Sequence, residues 1–300
     1  VAVLLMCLSF ACYSGCRFHV PHRYISWIRG LSMDIFFKPV YSRDLGRIAA
    51  KILTQKEGSS RSGKPTIVGV VLLFDASSGE ILSLMDGTYI TALRTGAASG
   101  IATQLLARSK SATVAIFGCG AQGYTQLEAV CSVRPIQRAL LYDIDPSASR
   151  KMKAEMQMKL GISIEIEPDL SKLKEADIIC TATYSRTPLF RKADISAGVH
   201  INAIGSFKPQ MQEIDPGVIR SSRLYVDSRK AVLHESGDLI KPINDGIIGP
   251  EFVSTEIGDL VNGNVGGRRH RDEITLFKSV GIAVQDLYVA DAVYKGSMDH

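Results

Sequence analysis

The spacing of hydrophobic and polar positions changes along the chain, and the changes divide it. A β-branched apolar run, Thr113-Val114-Ala115-Ile116-Phe117, stops at Gly118-Cys119-Gly120-Ala121-Gln122-Gly123. Apolar residues then recur at helical spacing, and a second apolar run, Ala139-Leu140-Leu141-Tyr142, ends on Asp143. The pattern predicts a strand, a glycine turn, a helix and a strand. Asp145 is placed to cap a further helix with Pro146 at its first position, and Gly161 to end it. Strands are expected over 162–166, 177–183, 199–204 and 224–226. This β/α alternation dictates a parallel sheet with right-handed crossovers. The segments Thr183-Tyr184-Ser185 and Gly205-Ser206 follow strand ends, at the sheet edge where a ligand lies.

Upstream the period is that of an antiparallel sheet. Residues 66–74 and 81–85 are β-rich runs joined by Asp75-Ala76-Ser77-Ser78-Gly79-Glu80, a hairpin pattern. A short strand is expected near 46–54 within an otherwise irregular stretch from His19 to Lys51, followed by a loop over 55–65. Residues 88–108 have small and apolar residues at helical spacing. Near the end, Leu276, Val280, Val284, Leu287 and Val293 predict one long amphipathic helix over 275–294 that returns to the first domain. The expected fold class is α/β. A Rossmann-type doubly wound parallel sheet, residues 109–268, is inserted in a second α+β domain, residues 1–108 completed by 269–300.

Composition narrows the function classes. With 300 residues, 46% hydrophobic and 22% charged, the chain is globular and large enough for two domains. The net charge of +5 is dispersed, and the run Arg268-Arg269-His270-Arg271 reads as a solvated loop, so no nucleic-acid partner is expected. The six cysteines form no C-x-x-C pair and no metal-ligand spacing, which points to a reducing, cytoplasmic setting without a metal site. The apolar start, residues 1–13, is too short to span a bilayer, so no membrane partner is expected.

The glycine turn carries the first chemistry. A bare GxGxxG is a weak signal, but here a strand precedes it and Asp143 follows about 20 residues on, the context of a dinucleotide site. Gly118 permits the tight turn, Gly120 lets the backbone approach a pyrophosphate, and Gly123 lets the helix pack closely on the strand. A carboxylate at Asp143 accepts from both ribose hydroxyls of NAD and repels the 2′-phosphate of NADP, so NAD is the expected cofactor. Arg138 and Arg150 are the nearby residues that could receive a phosphate instead.

Hydride transfer from an amino acid also needs a cation for the substrate carboxylate and a group that takes a proton from the α-ammonium. Arg94 sits in a run of small residues where a guanidinium fork suits a carboxylate. Lys51 lies in an apolar run where burial would lower its amine into the range useful for proton transfer.

Several motifs in order resemble the ornithine cyclodeaminase and mu-crystallin family: Lys51-Ile52-Leu53-Thr54 with Gly63-Lys64-Pro65-Thr66, Met85-Asp86-Gly87-Thr88, Arg94-Thr95-Gly96-Ala97-Ala98-Ser99, His200-Ile201-Asn202-Ala203-Ile204-Gly205, Glu235-Ser236-Gly237-Asp238 and Phe277-Lys278-Ser279-Val280-Gly281. That family includes cyclodeaminases, archaeal-type alanine dehydrogenases, ketimine reductases and a hormone-binding crystallin. The resemblance implies that Lys51 lies at the substrate, that Arg94 and Arg23 hold its carboxylate, and that Asp238 is a catalytic acid or base, with Asp227 as the competing candidate. It implies that Thr95, Ala121, Gln122, Asn202 and Ser279 neighbour the cofactor, and that the protein is a homodimer. The chain departs from the family pattern before Lys51, where the usual N-terminal helix is not evident and Lys38-Pro39-Val40-Tyr41 replaces a Met-Pro-Ala-Tyr-like segment. The implied activity is NAD-dependent ornithine cyclodeamination. The alternatives are an alanine dehydrogenase or ketimine reductase, or a crystallin-like binding protein without turnover.

Overall fold

A computed structural model describes residues 1–14, 18–21, 23–56 and 66–298. Cys16, the motif portion Gly63-Lys64-Pro65 and most of the expected 55–65 loop lie outside these residues. The chain divides into two compact units, Val1–Arg94 with Ile282–His300, and Thr95–Gly281.

The first unit opens with α1 (Ala2–Ser14), an N-terminal helix that the sequence reading did not find. A six-stranded antiparallel sheet follows: β1 (Phe18–His19), β2 (Tyr24–Ile28), β3 (Met33–Ser42), β4 (Arg47–Lys56), β5 (Ile67–Asp75) and β6 (Ile81–Asp86). Its order is β1-β3-β4-β5-β6, with β2 sharing the edge of β3 that β1 uses. The hairpin β5–β6 is as the pattern predicted, whereas β2 and β3 occupy the stretch read as irregular. Pro39 lies within β3, yet the strand keeps a strict alternation, with Asp34, Phe36, Lys38, Val40 and Ser42 buried. β4 alternates likewise, burying Ala49, Lys51, Leu53 and Gln55. The buried rows are covered by the last helix of the chain, against which α1 also packs.

α2 (Gly87–Leu106) leads out of this unit. Its small residues have a packing reason, because a Cβ on Gly96 would lie 2.4 Å from the carbonyl oxygen of Thr125. The second unit then alternates β7 (Thr113–Phe117), α3 (Ala121–Val133), β8 (Arg138–Tyr142), α4 (Pro146–Leu160), β9 (Ser163–Ile166), β10 (Ile178–Thr181), β11 (His200–Ala203), α5 (Pro216–Arg220) and β12 (Ser222–Val226). α6 (Arg229–Glu235), α7 (Gly237–Asn244) and α8 (Ile257–Val261) precede β13 (Ile274–Lys278). All seven strands are parallel, in the order β12-β13-β11-β10-β7-β8-β9. α4 begins and ends as expected: Asp145 accepts from the Ser147 N–H, and Gly161 takes a left-handed φ of 66°.

The expected 275–294 helix is instead β13, a loop and α9 (Ala283–Met298). Apolar residues in a strand buried on both faces happened to match the helical spacing that continues into α9. All five residues of β13 are buried between β11 and β12, so this segment belongs to the parallel sheet and the domain border falls later than 269. Arg268, read as part of a solvated loop, instead donates to the carbonyls of Leu106, Val199 and Glu273. No helix among the described residues is long and apolar enough to cross a membrane.

Candidate active site

In the second unit the chain order reverses between β7 and β10, the switch point at which open α/β sheets bind ligands. The glycine turn follows β7 there. Gly118 has a φ of 96°, and a Cβ on it would meet the carbonyl oxygen of Ala182, just after β10, at 2.6 Å. A Cβ on Gly123 would lie 2.0 Å from the Gly118 oxygen, so this glycine is needed for the helix to sit on the turn. Gly120 differs, because a Cβ on it would have no heavy atom within 4 Å. It is the N-cap of α3 and offers no side-chain acceptor to the first-turn N–H groups. That is a cradle for a pyrophosphate. Ala121 is exposed beside it, and the side-chain oxygen of Gln122 is buried with no hydrogen-bond partner.

Asp143 directly follows β8, half-buried, and braces the turn as well as facing it. Its carboxylate accepts from the Cys119 N–H at 2.6 Å and from the Asp145 N–H at 2.8 Å. Arg138 is engaged by Glu175 and by Glu165 at 3.7 Å. These residues fit a dinucleotide.

The loops after β10 and β11 are tied by a residue that the sequence reading missed. The buried Glu213 accepts from Thr181 Oγ1, the Thr183 N–H and Oγ1, and the N–H groups of Gly205 and Ser206, at 2.6–3.1 Å. Burial, followed by the charge of Asp238, pushes its pKa up, while Lys278 and the Thr183 donors pull the other way. Asp238 is itself buried, accepts from the Glu213 and Ile214 N–H groups at 2.7 and 3.0 Å, and lies 2.9 Å from Lys278 Nζ. Asp227 accepts from Ser279 Oγ and from the Val280 and Gly281 N–H groups, so Ser279 is held by the competing candidate. Asn202 bonds Thr103 Oγ1 at 2.9 Å and His200 at 3.2 Å inside the sheet. Thr95 is buried at the start of this unit, and its carbonyl accepts from Gln126.

The first unit brings together the proton-transfer and carboxylate-binding candidates. Lys51 Nζ is buried 2.7 Å from Asp286 Oδ1 and 3.2 Å from Thr91 Oγ1. Arg94 donates from Nε to the same Asp286 oxygen at 3.1 Å and from Nη1 to Gln285 Oε1 at 2.9 Å. The other Asp286 oxygen is buried without a hydrogen-bond partner. Burial lowers the Lys51 amine, Asp286 raises it and Arg94 lowers it further, leaving it at about 7. Burial alone would raise Asp286, but Lys51 and Arg94 outweigh that and hold the carboxyl below its ordinary range. Arg23 is near enough to lower Lys51 and the neighbouring Lys38. Asp286 was missed because it sits in an apolar helical pattern. A carboxylate among Ala283, Val284 and Leu287 was the available signal for a buried ion pair.

Among the described residues no His, Cys, Asp and Glu group could hold a metal ion. The arrangement can bind an anion beside an amine that both holds and releases a proton near neutral pH.

Known proteins share this build. The chain is 38% identical over 263 residues to Δ1-pyrroline-2-carboxylate reductase of Bacillus cereus, covering 87% of this chain and 81% of that one. A solved structure of the Thermococcus litoralis Δ1-pyrroline-2-carboxylate reductase, in complex with NADH and L-proline, superposes with a TM-score of 0.97 at 38% identity, covering 100% of this chain and 93% of that one. An archaeal alanine dehydrogenase dimer with bound NAD gives 0.92 at 32% identity, over 99% and 91%. The family model described as ornithine cyclodeaminase/mu-crystallin matches residues 7–299. The chain therefore belongs to the ornithine cyclodeaminase/mu-crystallin family, several of whose members are NAD-dependent oxidoreductases.

Proposed function

We propose that this protein is an NAD(H)-dependent reductase of cyclic imino acids, turning Δ1-pyrroline-2-carboxylate into L-proline. The observation that carries it is the buried Lys51–Asp286–Arg94 group, with an amine at about 7 beside a guanidinium. Reduction of a ring C=N places a hydride on carbon and one proton on nitrogen. The dinucleotide, when bound at Gly118, Gly120, Gly123 and Asp143, supplies the hydride. Arg94, with Arg23, holds the substrate carboxylate and so fixes which face of the ring is presented. Lys51 in its ammonium form gives the proton to nitrogen, and its pKa near 7 makes both forms available at working pH. Asp286 keeps that amine protonatable in spite of its burial, and Asp238 positions the strand-end loops through Glu213.

Ornithine cyclodeamination is the second reading, because the last step of that cycle is the same imine reduction. Its support is the motif set, including the Asp143 that suits NAD. The reductase is preferred because two of the similar proteins carry that activity in their names. A pure binding role would leave the proton-poised Lys51 idle.

The purified protein with NADH should convert Δ1-pyrroline-2-carboxylate to L-proline, with loss of NADH absorbance equal to proline formed. L-Ornithine with a trace of NAD should release no ammonia, and L-alanine should yield little NADH. Ammonia and proline in equal amounts from ornithine would return the chain to the cyclodeaminases.

The same unit supports a homodimer. The sheet face opposite the buried lysines carries Tyr24, Phe37, Tyr41, Val68, Val70 and Leu84, all exposed. An apolar face of this extent on a soluble protein calls for a partner, and a similar alanine dehydrogenase is a dimer.

A further inference from the structure

Gln285 and Asp286 are consecutive residues of α9, and both reach the guanidinium of Arg94. Asp286 accepts from Nε at 3.1 Å, and Gln285 accepts from Nη1 at 2.9 Å. Because an arginine offers N–H donors and no acceptor, the atom of Gln285 that faces Nη1 is its amide oxygen. That bond fixes which way round the amide lies. Its NH2 group is turned away from Arg94, and there Nε2 is buried without a hydrogen-bond partner among the described residues.

Neither packing nor the bond to Arg94 accounts for an amide at this place. Gln285 stands in the buried run Ala283–Asp291 of α9, beside Ala283, Val284 and Leu287, where an apolar side chain of the same length would fill the space. If steadying Arg94 were its whole role, a glutamate would do so with a stronger, charge-assisted bond. The amide gives up that strength. In return it carries no charge to compete for the guanidinium, and it presents two N–H donors. A buried donor with no acceptor is costly, so its presence calls for a ligand that brings the acceptor. Arg94 selects what that ligand is. The guanidinium and the amide are joined by a hydrogen bond, so a carboxylate seated on Arg94 lies beside the amide and offers its second oxygen to Nε2.

We propose that Gln285 is a specificity-determining residue whose Nε2 donates to the substrate α-carboxylate alongside Arg94. The assignment rests on the substrate-binding role proposed above for the Lys51–Asp286–Arg94 group and adds a neutral second donor to it.

The test is calorimetric titration of L-proline and of L-alanine into the full chain saturated with NAD, for the unaltered protein, Gln285→Met and Gln285→Glu. A crystal structure of the unaltered protein with the bound amino acid accompanies it. A carboxylate oxygen should lie within hydrogen-bond distance of Gln285 Nε2. Both variants should bind the amino acid more weakly by about tenfold or more, the scale of one charged hydrogen bond, while NAD affinity holds. In imine reduction the KM should rise by a similar factor with a much smaller change in kcat, since the amide serves the carboxylate and not the reacting C=N. Thermal melting of each variant separates loss of binding from loss of fold. Undiminished amino acid affinity in folded Gln285→Met would overturn the proposal, as would a bound carboxylate out of reach of Nε2 or binding of neither amino acid. L-Alanine binding with the same dependence on Gln285, while L-proline and its imine are inert, would leave the Gln285 assignment standing and defeat the reductase function instead.

Discussion

Lys51 Nζ and Asp286 Oδ1 lie 2.7 Å apart although 235 positions separate them in the chain. The carboxylate sets the working range of the amine, because its charge and its hydrogen bond both raise a pKa that burial lowers, leaving it at about 7. Asp286→Asn removes the charge, so the Lys51 pKa falls further. Proton donation to an imine needs the ammonium form, so kcat/KM for reduction should decline above about pH 7 in the unaltered protein. In Asp286→Asn the same decline should begin at lower pH, read from a pH profile with NADH saturating. Lys51→Ala should cost about 10² to 10⁴ in turnover and remove that limb, while cofactor binding persists. A pH profile of Asp286→Asn superimposable on the parent would remove Asp286 from the mechanism.

The glycines of the turn should separate by function. Gly120→Ala meets open space at an ordinary backbone angle, so melting temperature should hold while NAD affinity falls by roughly tenfold or more, since the new methyl enters the pyrophosphate cradle. Gly123→Ala places its methyl against the Gly118 oxygen and should lower the melting temperature before any cofactor is added. Titration calorimetry and thermal melts on both variants distinguish the two effects.

Asp143 should make NAD bind more tightly than NADP by roughly tenfold or more, because a charged hydrogen bond becomes repulsion against the 2′-phosphate. Arg138, which could have received that phosphate, is held by Glu165 and Glu175. Asp143→Ser should narrow the ratio. It should also loosen the turn, since the Cys119 N–H loses its acceptor. Equal affinities in the parent protein would contradict the role given to this carboxylate.

The outer sheet face should hold two copies together. Val70→Glu places a charge in the middle of that face without touching the buried lysine row, and light scattering after size exclusion should show conversion from dimer to monomer. A parent protein that is monomeric at micromolar concentration would refute the assignment.

Local signals account for what the sequence revealed. The β7 turn, Asp143 and the caps of α4 are governed by neighbours a few residues away, and all were readable. Lys51 and Arg94 were visible as charges in apolar or small surroundings. Asp286 was not, because a lone acid in an amphipathic helix resembles a solvated one until the sheet beneath it is known. β13 was hidden by its burial on both faces, which removes the alternation that marks a strand. Lys38 was noticed as a departure from the family pattern, but only the register of β3 on β4 sets it beside Lys51. Glu213 gave no local sign, since its donors come from loops brought together by the parallel sheet.

The alternation of β4 makes the chemistry depend on parity. Ala49, Lys51 and Leu53 point inward, and Ile48 and Ile52 are paired with Tyr41 and Phe37 on the outer face. Adding one residue to the β3–β4 turn, with the strand otherwise kept, would turn the amine outward into the apolar face and put Ala50 in its place against Asp286. A single insertion would thus lose the proposed proton donor and place a charge in the proposed contact surface between copies. Length changes in the β3–β4 turn that shift β4 by an odd number should therefore be far more damaging than even ones of equal size.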